Sequence, residues 1–214
     1  TTHTATITFN KDANYTFAVG YTDKAGNANE TVNVSGQTAP YKFTVDSTAP
    51  TGTIKAVSAE GRKAEWKDLK TFLTFGFWSN KKITITGTQN DVTSPIARVE
   101  YYKVAARHAN DGTAALRVSD LDAVTAWNKF TSLEVLANEQ FTVYLRIMDN
   151  AGNYTYISTN GLIVDDQKPL EESIAPEITV NPTQPINGIY NGDVKVSIGV
   201  QDPMVNGTYS GLKE

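Results

Sequence analysis

Cysteine is absent from all 214 residues, so the chain can form no disulfide and offers no thiolate to a metal. Histidine is nearly absent. His3 lies in the terminal stretch, and His108 sits in AARHANDG, which reads as a strand end or a solvated loop. A Ser-His-Asp site needs a base oriented by a carboxylate beside a nucleophile, and nothing around His108 has that form. There is no phosphate-cradling glycine loop. Paired acids of the glycosidase kind are too common on surfaces to argue from. Lys and Arg number 19 against 23 Asp and Glu, and they are spread along the chain, so there is no basic stripe for nucleic acid. No apolar run reaches the roughly 20 residues that cross a bilayer, and no secretory leader is visible. The chain opens in TTHTATITF without methionine and reads like an excised fragment.

What is present is alternation. In FTVYLRIMDNAGN, Phe141, Val143, Leu145 and Ile147 alternate with Thr142, Tyr144, Arg146 and Met148, the period-two signature of a strand with one face in a core. The strand ends at Asp149 and turns on Asn150-Ala151-Gly152-Asn153 into YTYISTNGLIVD, a hairpin with a four-residue loop. YTFAVGYTDKAGN is a second copy. Tyr15, Phe17, Val19 and Tyr21 stand for the four core residues, and Asp23 and Gly26 stand for Asp149 and Gly152, 126 positions earlier. Both copies close alike, FTVDSTAP with Asp46 four residues before Pro50, and LIVDDQKP with Asp165 four before Pro169, an offset of 119. Proline stiffens such segments, which read as joints between units. The first return arm, 28–46, is seven residues longer, with Gly36 and Pro40 marking a break or bulge.

Between the joints, Thr53–Val57, Lys82–Thr88, Ala97–Val104 and Leu133–Leu136 predict strands, and Thr4–Phe9 predicts another near the start. Trp66, Leu69, Phe72 and Leu73 stand at helical spacing and predict a short helix in 64–75. Ser119–Trp127 predicts a second helix, capped by Ser119 with Asp122 completing a weak capping box. Tyr101 and Tyr102 are adjacent, so one is expected in the core and one exposed. After Pro169, ITVNP looks like an opening strand. DVKVSIGVQD, ending at Asp202, repeats KITITGTQND, ending at Asp91, at an offset of 111. The expected organisation is therefore residues 1–49 as the closing part of one unit, 50–169 as a complete unit, and 170–214 as a linker with the opening part of a third.

Units of roughly 100 residues or slightly more with about seven short strands point to an all-β fold of antiparallel sandwiches in tandem, with short helices inserted in the complete unit. YTDKAGN with FTVDSTAP, FGFWSNKKITITGTQND, ARVEYYKV and YLRIMDNAGNYTYISTNGLIVDDQKP together resemble the bacterial immunoglobulin-like repeats of large Gram-positive surface proteins. That resemblance covers nearly the whole chain. It implies an extracellular, wall-associated or cell-surface spacer or adhesin stalk, without catalysis and without a ligand preference. Its expected partners are neighbouring Ig-like domains of the same protein and a host or cell-wall glycan or protein.

Four candidate chemistries remain. Asp23, Gly26, Asn27, Asp149, Gly152 and Asn153 are expected as structural turn residues, the acids bonding local backbone. Calcium takes six to eight oxygens, and Asp23, Asp46, Asp149, Asp165 and Asp166 lie at turns or joints where one ion could stiffen a stalk, though neither joint has dense acidic spacing. Trp78, between Phe77 and Ser79, and Trp127 are possible sugar platforms. Such residues more often bury their rings, and Trp66 belongs with them. The sugar reading makes the chain a carbohydrate-binding accessory module of a secreted glycan-active enzyme. Self-made Lys-Asn cross-links would need a buried Lys, Asn and acid together, and Lys42, Lys103 and Lys195 lie on expected strands without an identifiable triad.

Overall fold

The computed structural model describes residues 2–29, 41–105, 115–136, 138–172, 189 and 199–213. Gly36, Pro40, His108, Lys195 and the ITVNP strand lie outside the described residues.

The centre of the molecule is a two-layer antiparallel sandwich. One sheet has the order β11 (Leu133–Val135), β8 (Ile83–Asn90), β5 (Thr51–Ser58), β6 (Lys63–Trp66). The other has the order β10 (Asn128–Lys129), β9 (Ile96–Ala105), β12 (Glu139–Asp149), β14 (Leu162–Val164), β7 (Phe77–Ser79), with β13 (Tyr154–Ser158) also pairing with β12. Among the described strands only β14 and β7 pair in parallel. Alternation sets the inner faces. Phe141, Val143, Leu145 and Ile147 of one sheet meet Ile54, Ala56, Ile83, Ile85 and Val135 of the other, all at 1 % exposure or less. Burying side chains of this size is worth about 1.5–3 kcal/mol each, which makes this contact the main source of stability.

The outer face of β12 is also buried, which period-two reasoning does not foresee. Tyr144 and Tyr156 pack with Leu121, and Leu69, Tyr102, Leu116 and Trp127 close over them as a partial third layer. Tyr101 packs in the main core and Tyr102 in this outer cluster, so neither Tyr is the exposed one. The expected helix in 64–75 is absent. Residues 63–66 form β6, and the rest is irregular, with Leu73 buried and Phe72 exposed. The apolar residues there anchor a loop, so their spacing does not mark a helical face. The second helix is only α1 (Val118–Asp122), and its N-cap is Arg117. Asp120, not Asp122, accepts the Arg117 backbone N–H at 2.8 Å. No described residue from 4 to 9 lies in a strand.

Flanking segments repeat pairings of the centre. In β1 (Ala13–Phe17) and β4 (Tyr41–Val45), Ala13, Asn14 and Tyr15 face Val45, Thr44 and Phe43. In β12 and β14, Glu139, Gln140 and Phe141 face Val164, Ile163 and Leu162. Shifts of 126 and 119 carry one register onto the other. In β2 (Tyr21–Thr22) and β3 (Ala28–Asn29), Tyr21 faces Asn29 as Ile147 faces Thr155. In β15 (Leu170–Glu172) and β16 (Gly199–Gln201), Leu170 faces Gln201 as Thr51 faces Asn90, shifts of 119 and 111. The missing strand at 4–9 follows from this correspondence. Ile7–Phe9 stand where β11 stands, and β11 pairs with β8, which has no counterpart in residues 2–29 or 41–49.

Candidate functional site

A hydrogen-bonded polar constellation lies where β4 leads into β5. Three bonds between Asp149 and Asn153 close the turn. Asn153 N–H donates to Asp149 Oδ1 (2.9 Å), Asn153 Nδ2 donates to Oδ2 (2.8 Å), and Asp149 N–H donates to the Asn153 carbonyl (3.0 Å). Gly152 takes φ 96°, a left-handed conformation that a side chain would strain. Asn153 Nδ2 also reaches the Asp46 carbonyl at 3.2 Å, tying this turn to the joint. Asp46 Oδ1 accepts the Thr48 N–H (3.1 Å) and Oδ2 accepts the Ser94 hydroxyl. Asp91 Oδ1 accepts the Thr93 and Ser94 N–H groups, each at 2.8 Å. Burial pushes the Asp149 carboxyl up, but the donors from Asn153, Gly152 and Ala151 outweigh it and hold the carboxyl below 3.8.

The first copy of the turn has the same internal bonds. Asn27 N–H and Nδ2 donate to Asp23 at 2.8 and 2.6 Å, and Gly26 takes φ 89°. Residues 21–29 are exposed, whereas Asp149 is 2 % exposed. Asn27 and its neighbours hold the Asp23 carboxyl below its ordinary value.

At the second joint the pattern recurs. Asp165 Oδ1 accepts Gln167 N–H (3.0 Å) as Asp46 accepts Thr48, and Asp165 Oδ2 accepts Ser210 N–H (2.8 Å). Asp202, the counterpart of Asp91, accepts the Ser210 and Gly211 N–H groups at 3.0 and 2.6 Å. Loops upstream pin both joints. Asp12 accepts from Ser47 and Thr48, and Asn138 donates to Asp166 at 3.0 Å.

Of the acids considered for calcium, the structure brings together Asp46 and Asp149 and adds Asp91, which the sequence reading did not single out. One carboxylate oxygen of each lies within 4.8 Å of the others. Both oxygens of Asp46 and of Asp149, and Oδ1 of Asp91, already accept hydrogen bonds from the protein. Those bonds cap turns and join a loop, and an ionised carboxylate, with about four lone-pair sites, keeps further acceptor capacity beside them. Asp23 lies apart in its exposed turn, and Asp165 and Asp166 lie at the other joint.

The two tryptophans part company. Trp127 stacks on Tyr156 with centroids 5.7 Å apart, and the Arg146 guanidinium lies 4.6 Å over its ring. Arg146 in turn grips Glu100 through Nε and Nη2 at 3.0 and 2.7 Å. Tyr156 donates to Asp122 at 2.9 Å, and burial first, then that carboxylate, pushes its phenol up to about 12. Trp78 is 44 % exposed. Its indole N–H is held by the Phe75 carbonyl, and it borders a cavity of about 330 Å³ with Glu60, Arg62, Asn80 and Asp165. Lys42 and Lys103 are exposed, and Lys103 pairs with Glu139 at 2.5 Å.

Facing antiparallel sheets, a tight Asp-to-Asn turn and acid-capped joints define an immunoglobulin-like sandwich module. Residues 55–166, more than half of the chain, match the family described as Bacterial Ig-like domain, and the chain belongs to that family. Domains of this kind are generally non-catalytic and typically occur in extracellular proteins. No curated protein and no solved structure matches the chain. Among the described residues no helix is long and apolar enough to cross a membrane.

Proposed function

We propose that the chain is a spacer segment of a bacterial surface protein, a run of Ig-like units in series that holds another domain away from a cell surface or wall and so supports adhesion or display. Residues 1–49, 50–169 and 170–214 are the three members of the run. The observation that carries this reading is the recurrence of strand register at constant offsets on both sides of the central sandwich. Convergent acids at each joint add to it, because a joint fixed by several bonds transmits direction better than a free linker. Neighbouring units are the principal partners, and hydrogen bonds at the joints require no cation. The test is small-angle scattering. A serial arrangement gives an elongated particle, with a maximum dimension well beyond that of the isolated 50–169 unit. A particle no longer than that unit contradicts it.

Trp78 favours a second reading, a carbohydrate-binding accessory module. A half-exposed indole fixed at its N–H can stack on a pyranose ring. Retardation in glycan-containing gels that Trp78→Ala abolishes supports this reading, and unretarded wild-type protein removes it.

A further inference from the structure

The three tryptophans are placed differently. Trp66 packs against the main core, and Trp127 stacks on Tyr156. Trp78 points outward from β7, between the buried Phe77 and Ser79, and among the described residues no other ring stacks on it. Its indole N–H is held by the Phe75 carbonyl, and the Arg62 guanidinium donates to the Trp78 and Gly76 carbonyls at 2.5 and 3.4 Å. Ring and strand are therefore fixed before any ligand arrives, which lowers the ordering cost of binding.

The cavity of about 330 Å³ beside Trp78 has a scale that suits a single sugar ring. Its polar groups select among ligands. Glu60 and Asn80 are exposed, and Asp165 lines the wall while buried. Glu60 and Asp165 bring two carboxylates to the one guanidinium of Arg62, which is turned onto backbone carbonyls and over the Phe77 ring, 5.2 Å from its centroid. An acidic sugar or a phosphate is best held by a forked guanidinium that faces it, and among the described residues lining the cavity none is free for that. A quaternary ammonium is best enclosed by several aromatic faces, and Trp78 is the one aromatic residue among those described here. Hydroxyl groups fit better. They donate to carboxylates that keep acceptor capacity, while the C–H face of a sugar ring lies on the indole.

We propose, on the carbohydrate reading of Trp78 given above, that this cavity binds one uncharged pyranose ring of a glycan and that the bound sugar spans the second joint. Glu60, Arg62, Trp78 and Asn80 belong to the central sandwich, Asp165 opens the joint, and Ser210 comes from the segment beyond it. Ser210 is tied to the joint. Its backbone N–H donates to Asp165 at 2.8 Å and to Asp202 at 3.0 Å, and its hydroxyl donates to Asp202 at 3.3 Å. Bending at the joint moves Ser210 away from the indole, so a sugar that touches both favours the joint geometry seen here. Glycan capture and stiffening of the stalk then become one event.

Amide NMR of the isotope-labelled full chain tests this, with separate titrations of cellotetraose, maltotetraose, chitotetraose, a galacturonic acid tetramer and tetramethylammonium chloride. At least one uncharged tetramer is expected to shift the Trp78 indole N–H, the Asn80 side-chain amide and the Ser210 backbone amide together, with one dissociation constant. Trp78→Ala is expected to weaken that binding about tenfold, the loss of one stacked face, and Trp78→Tyr to restore part of it. An unchanged thermal transition in Trp78→Ala shows that the fold is intact. Glu60→Gln is expected to keep the uncharged sugar, weakened about threefold, because its amide oxygen still accepts a hydroxyl. Shifts from the galacturonic acid tetramer or tetramethylammonium, with none from the uncharged tetramers, overturn the proposal, and the first of these leaves the carbohydrate reading in place. No shift from any of the four sugars overturns both. Shifts at Trp78 that leave Ser210 unmoved overturn the spanning of the joint.

Discussion

Asp149 and Asp23 make nearly the same bonds in different surroundings. Asp149 is buried and its Asn153 partner also holds the Asp46 carbonyl, while Asp23 lies in water. Asp149→Ala leaves buried N–H groups unpaired, so it is expected to destabilise the chain by about 1–3 kcal/mol in denaturant titration. Asp23→Ala is expected to shift the same titration far less, because water replaces the carboxylate. Acid gives a second check. The carboxyls of Asp12, Asp23 and Asp149 are held below 3.8 in the folded chain. Their stabilisation is complete above that ordinary value and is lost as pH falls through the lowered ones. The melting temperature should therefore drop as pH falls below about 3.8, and less steeply in Asp149→Asn. Both turn acids were legible in the sequence, because the bonds they make span four residues. Asp91 was not, because Asp46 and Asp149 lie 45 and 58 positions away. The signal was present in its repetition as Asp202, 111 positions on, beside that of Asp46 as Asp165.

At the scale of elements, β12 carries two cores. Leu145→Ala cuts into the inner one and is expected to cost about 2–5 kcal/mol of global stability by chemical unfolding. The outer layer is weaker. Within it Trp127 Nε1 is buried without a protein hydrogen-bond partner, which costs desolvation free energy that a paired group would regain. Amides of residues 116–127 are therefore expected to exchange with solvent by local opening, well before those of β12 and β9, in native-state hydrogen exchange. Leu121→Ala should speed that opening further. Gly161→Ala makes a complementary test, because a Cβ there would sit 2.2 Å from the Phe75 ring and displace the loop over β14. Strands were legible wherever side chains alternated between unlike environments. The outer layer was not, because Tyr144 and Tyr156 have polar ends yet are buried by segments distant in sequence. In 64–75, Leu69 and Leu73 anchor a loop with the same spacing a helix would use.

For the whole molecule, the sandwich class could be read from the number and alternation of the short strands, and the sequence offsets 126, 119 and 111 recur in strand register. The joints' chemistry could not, because it depends on loops that meet only after each unit has folded. The central claim is that the 50–169 sandwich folds around its own core, with neighbours touching it only at its ends. Its most direct test is to prepare residues 50–169 alone and compare their amide resonances with those of the full chain. The account predicts a cooperatively folded unit whose spectrum overlays that of the full chain, except near Asp91, Ser94, Asp149 and Asn153 at one end and Ser79, Asn138 and Asp165 at the other. A 50–169 chain that is unfolded, or shifted throughout β5, β8 and β12, would contradict it.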